Sequence, residues 1–169
     1  MVATTKLLTL VALPVLVGVP LAPTLAPEQI AGRFTMAYAK REALGVPDAA
    51  GHMLLLTQAQ GSNRSTGPNV FMPGAEVTIW ETVDLIQGSG PNQGYVVQAQ
   101  GADSVFVRVN GHVRTTTSSQ GSASTGVDGS WRFVRGTGRH QGIAGSGTFK
   151  ASFTSQTEFT VDWQGELTK

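Results

Sequence analysis

Residues 75–85 alternate apolar and polar side chains with a period of two, and one charge sits on the wrong parity. Val77, Ile79, Val83 and Leu85 share one face, Glu76, Thr78, Trp80, Thr82 and Asp84 share the other, and Glu81 falls among the aliphatics. Successive side chains of a strand point to opposite faces, so the pattern specifies a strand with one buried face and a carboxylate on that face. The same period, weaker, recurs at residues 33–42, 52–60, 94–100, 104–117, 130–134, 148–153 and 158–167. Gly, Pro, Asn, Asp and Ser separate these runs, as turns require. Residues 33–42 hold enough Ala, Lys and Glu to make a helix the rival reading there.

Eight short strands predict an all-β chain: an eight-stranded antiparallel closed β-barrel, with a sandwich as the alternative. The chain has no cysteine, so neither disulfides nor thiolate metal sites are available to it. Closing the sheet would remove the unpaired edges that such a domain otherwise exposes. The 12 basic and 11 acidic residues leave no basic excess of the kind that nucleic acid or an acidic membrane surface attracts.

Residues 1–26 carry a single charge, Lys6, followed by an uncharged Leu- and Val-rich run that ends in small residues. This is the layout of a secretory signal peptide, with a cut after Ala26 as the natural site although Pro27 disfavours it. Pro14, Pro20 and Pro23 argue against an uncleaved spanning helix. The expected mature chain is one domain, residues 27–169: an N-terminal segment and first strand over 27–50, and the rest of the barrel over 51–169. It would be secreted or periplasmic and, without its signal, off the membrane.

Glu81 is the candidate catalytic residue. On the inner face of a barrel it would be desolvated, its pKa would rise, and it could serve as general acid or base or hold a ligand hydroxyl. A structural pairing with Arg108 or Arg132, or a bulge that turns it outward, is the competing account. Tyr95, Phe133 and Trp163 are the candidate walls of the cavity. Gly88-Ser89-Gly90-Pro91-Asn92-Gln93-Gly94 and Gly136-Thr137-Gly138-Arg139-His140-Gln141-Gly142 echo one another as Gly-(Ser/Thr)-Gly-x-(Asn/His)-Gln-Gly. They read as equivalent connections that present Gln93 and Gln141 to a ligand, or that spend both side chains on turn backbone. Neither has nucleotide-binding spacing. His52, His112 and His140 lie on separate segments without metal-ligand spacing, so no metal is expected. Phe71 and Met72 stand out as apolar residues in a polar loop, suited to plug one end of the fold or line a pocket mouth. Asn63-Arg64-Ser65 has the form of a glycosylation acceptor.

The stretch Phe133-Val134-Arg135-Gly136-Thr137-Gly138-Arg139-His140-Gln141-Gly142-Ile143-Ala144-Gly145-Ser146-Gly147-Thr148-Phe149 resembles the Gly-Thr-Gly-x-(Phe/Tyr)-x-x-(Ala/Ile)-x-Gly-x-Gly segment of the allene oxide cyclase and dirigent barrel superfamily. The likeness is nearest to its small bacterial secreted members. Gly51-His52-Met53-Leu54-Leu55 and Asp84-Leu85-Ile86-Gln87-Gly88-Ser89-Gly90 are similar to further segments there, and His140 stands where an aromatic is usual. The resemblance implies an eight-stranded antiparallel closed β-barrel, calycin-like, with an interior cavity, often dimeric or trimeric. It also implies cofactor-free steering of a cyclisation or coupling by cavity shape. Fold alone does not give function, so two readings stay open. One is a barrel that binds a small hydrophobic or aromatic molecule, with or without isomerase or cyclase activity. The other is a non-catalytic carrier or cell-envelope interaction module with a filled interior.

Overall fold

The computed structural model describes residues 26–168, and the expected signal peptide lies almost entirely outside them. Eight strands follow in order: β1 Glu28–Gly45, β2 His52–Ser65, β3 Glu76–Ile86, β4 Gly90–Gln100, β5 Asp103–Thr117, β6 Ala123–Thr137, β7 Ala144–Phe153 and β8 Glu158–Thr168. Each pairs antiparallel with the next, and β8 pairs with β1, which closes the barrel. Residues 33–42 are strand, not helix, because β2 pairs along them and β8 takes the other side of 33–37. The sheet also claims residues that read as loop: 61–65 extend β2, 90–93 begin β4, and 123–129 begin β6. These stretches are rich in Gly, Ser and Asn, so side-chain preference alone does not mark them as strand.

Antiparallel order puts the connections 46–51, 87–89, 118–122 and 154–157 at one end, the mouth, and 66–75, 101–102 and 138–143 at the other, the floor. The turn after β3 uses Gln87 and Gly88, both at positive φ (52° and 78°), with mutual Ile86–Ser89 backbone bonds. That is the two-residue hairpin whose twist suits flanking strands, and it fixes Glu81 opposite Gly94.

The floor is plugged. Phe71 and Met72 are buried, and Phe71 packs against Phe133, Trp163 and His140 with ring centroids 5.7, 6.0 and 5.4 Å away. Buried Asn63 holds this loop by donating from Nδ2 to the carbonyls of Phe71 (3.0 Å) and Met72 (2.8 Å). The glycosylation pattern is therefore used inside the protein, where its amide is a structural tie.

The floor connection in the glycine cluster is a single 3-10 turn, Gly138–His140, tied to the 101–102 turn when Asp103 accepts from Arg139 backbone N at 2.9 Å and Nε at 2.6 Å. Its echo around residue 90 sits at the mouth and is mostly strand. The two copies are thus not equivalent connections, despite the shared residues.

Candidate functional site

Above the plug the barrel encloses a cavity of about 910 Å³ that reaches the mouth. The interior is not filled by side chains, contrary to the expectation of a packed interaction module. Its wall is two-sided. Trp131, Phe133, Phe149 and Trp163, from β6, β7 and β8, form an aromatic half. Trp131 contacts Phe133 and Trp163 edge to face at 5.1 and 6.1 Å, and its Nε1 donates to the carbonyls of Thr148 and Gln164, both at 3.2 Å. Thr57, Glu81, Asn92 and Gln98, from β2, β3 and β4, form a polar half.

Glu81 points inward, as its parity predicts. Its cross-strand neighbour is Gly94, where an added Cβ would sit 2.7 Å from Glu81 Cγ, so the missing side chain gives the carboxylate its room. Asn92 Nδ2 donates to Glu81 Oε1 at 3.0 Å; neither Arg108 nor Arg132 is its partner. Arg108 instead points outward, its guanidinium 5.9 Å from the Tyr95 ring. Burial pushes the Glu81 pKa up to about 7, and the Asn92 bond opposes that rise without cancelling it. The surface Glu81 retains faces the cavity, which explains partial accessibility together with strong desolvation.

Two further residues, neither of them a candidate site residue in the sequence, complete the acid's surroundings. A bulge in β1, with Ala39 as the extra residue between Tyr38 and Lys40, shifts the parity of the strand. Tyr38 before it and Arg41 after it therefore both line the cavity. The Arg41 guanidinium lies 4.8 Å from the Tyr38 ring and donates to the Gln156 carbonyl at 3.1 Å, across the mouth. Burial raises the Tyr38 pKa, the Glu81 charge adds to this, and Arg41 opposes it. The phenol thus stays a hydrogen-bond donor at neutral pH.

Of the candidate site residues, Glu81, Phe133 and Trp163 line one cavity. Tyr95 does not: it is 49 % exposed on the outer face, opposite Trp80. The register that seats Gly94 beneath Glu81 necessarily turns residue 95 outward. Gln93 is likewise exposed on the outside near the mouth, and Gln141 is exposed at the floor. They stand at opposite ends of the barrel and cannot share a ligand. Among the described residues, no cluster of three or more His, Asp or Glu side chains could hold a metal ion.

No family model matches this chain, and no curated protein does. Among solved structures, the pterocarpan synthase dirigent protein GePTS1 aligns over 90% of this chain and 97% of its own, with 10% identity and a TM-score of 0.44. At that distance the match says nothing about activity, and the barrel assignment stands on the strand pairing itself.

Proposed function

We propose that the barrel binds a small, largely apolar or aromatic molecule and that Glu81 acts on it as a cofactor-independent general acid or base, in an isomerisation or cyclisation. One observation carries the reading: an open cavity of about 910 Å³ holds a single carboxylate whose pKa lies at about 7. Ligand pockets run from roughly 300 to 1,000 Å³ and are mostly apolar with few polar groups, as here. A catalytic group is most effective when its pKa lies near the working pH. An isomerisation balances with one such residue: the carboxylate takes a proton from one atom of the ligand, and the resulting acid returns it to another. Tyr38 would donate to oxygen charge that develops in between.

The test is mass spectrometry of small molecules that co-purify with the protein, followed by assay of the captured compound with wild type and Glu81→Gln. The reading predicts retained binding, conversion lost by about a hundredfold or more, and a wild-type rate inflection near pH 7 that the variant lacks. Retained conversion in Glu81→Gln would remove Glu81 from the chemistry, and a compound that wild type binds without converting would leave a carrier. We also propose that residues 1–26 direct export, so that the exported protein begins near Pro27 on N-terminal sequencing.

A further inference from the structure

The acid lies towards the mouth, yet the deep end of the cavity also carries polar atoms without a structural purpose. Gln98 lies two residues from the floor end of β4, lines the cavity and is 3 % exposed. Its carboxamide oxygen has no hydrogen-bond partner among the described residues. Trp163, 6 % exposed, lines the same end, and its indole Nε1 is likewise unpartnered. The neighbouring indole of Trp131 spends its Nε1 on two carbonyls. An unmet buried polar atom costs stability, and apolar residues of similar size would fill both positions more cheaply.

We propose that Gln98 is a specificity residue that receives a hydrogen-bond donor, an alcohol or an amide N–H, at the buried end of an elongated ligand. This rests on the binding reading above and adds the ligand's orientation and its second polar group. A hydroxyl can supply that donor, whereas its methyl ether cannot. Glu81 lies opposite Gly94, four residues from Gln98 along β4, so the acid and the carboxamide are about 10 Å apart along the barrel, from strand rise and the usual strand tilt. One group at the acid and another at Gln98 therefore demand a long molecule, with the aromatic half of the wall against its middle.

The experiment uses three matched probes, 4-biphenylmethanol, its methyl ether and 4-methylbiphenyl, titrated calorimetrically into wild type, Gln98→Leu and Glu81→Gln. The alcohol should bind wild type roughly tenfold more tightly than the ether, the worth of one buried hydrogen bond. Gln98→Leu should abolish that preference and leave ether binding unchanged, while Glu81→Gln keeps the preference. Gln98→Leu should also melt higher without ligand, since it removes an unmet polar atom; if that variant does not fold, Gln98→Met replaces it. A preference that disappears with Glu81→Gln and survives Gln98→Leu overturns the deep subsite and leaves the cavity reading standing. Binding of none of the three probes overturns both. A lower melting point in both Gln98 variants would make the amide a structural residue and also overturn the proposal.

Discussion

The two halves of the barrel wall use one device for opposite purposes. On the β6–β8 side, Gly147 and Gly165 lie under the Trp131 indole, where added Cβ atoms would fall 2.7 and 2.5 Å from its ring. On the β3–β4 side, Gly94 clears the same kind of space for Glu81. In each case a missing side chain on the inner face lets a large neighbour lie flat against the sheet. What lies there differs. The indole lies on these glycines, meets Phe133 and Trp163 edge to face, has its N–H bonded, and belongs to the core. The carboxylate has one amide donor, Asn92, and is desolvated without a cation bound to it. A core needs the first arrangement; the second lowers stability and is retained where chemistry uses it.

The comparison breaks most visibly if the aromatic half is truncated. Trp131→Ala should destabilise the protein by about 4 kcal/mol in urea or thermal unfolding, through lost ring contacts and an unfilled cavity. A loss below about 1 kcal/mol would mean that the Trp131 ring contributes little to the core.

The polar half should respond in the opposite direction. The Glu81 pKa is higher folded than unfolded, so the folded state holds more protons between the ordinary glutamate range and about 7. Stability then falls as pH rises through that window, and the deficit is complete above it. Glu81→Gln should therefore be more stable than wild type at about pH 8, by at most about 3 kcal/mol, and equal to it below about pH 4. Equal stability at both pH values would place the carboxylate in bulk-like water and remove the contrast between the halves.

Much of this architecture is legible in the residues. Alternation in β3 alone identifies the strand and places Glu81 inside, because four aliphatics outvote one acid. The outward position of Tyr95 is hidden in the residues because Gly90-Pro91-Asn92-Gln93-Gly94-Tyr95 has no parity of its own. The signal was nearby: Gln87-Gly88 as a two-residue hairpin turn transfers the parity of β3 to β4 and turns Asn92, Gly94 and Gln98 inward. Arg41 was out of reach for a different reason. Its inward turn depends on a bulge at Ala39, set by pairing with β2, and nothing in the local residues marks it. The Gly-x-Gly echo misled because shared composition serves one hairpin at the mouth and one 3-10 turn at the floor.

A smaller effect tests whether the floor belongs with the aromatic half. Asn63→Ala removes two bonds to the plug loop and leaves the Phe71 and Met72 carbonyls to find other partners, which should cost about 2 kcal/mol. It should also speed amide hydrogen exchange at residues 66–75 while exchange in β3 and β4 stays unchanged. Faster exchange throughout the barrel would show the plug to be part of the global core instead.

The smallest effect comes from outside the polar half, where His52 ties the mouth to β3. His52 Nδ1 meets Asp48 in the 46–51 connection, and its Nε2 lies 2.8 Å from Asp84 Oδ1 on β3. The bond to Asp48, then the bond to Asp84, raises the His52 pKa, and the Asp48 pKa falls in turn. A raised histidine pKa stabilises the fold fully below the unfolded value and loses that contribution as pH rises through the folded value. This has the same sign as the Glu81 effect, but the window starts near pH 6.5, the ordinary histidine value, and extends upward. The two overlap around neutrality, so wild type alone cannot separate them. A Glu81→Gln background removes the Glu81 contribution, and His52→Gln should then flatten the residual decline of melting temperature with pH. Because the cluster is solvent-screened, the change should amount to a few degrees or less. A decline that persists in the double variant would assign the upper window to another group and leave the His52 contacts without energetic weight.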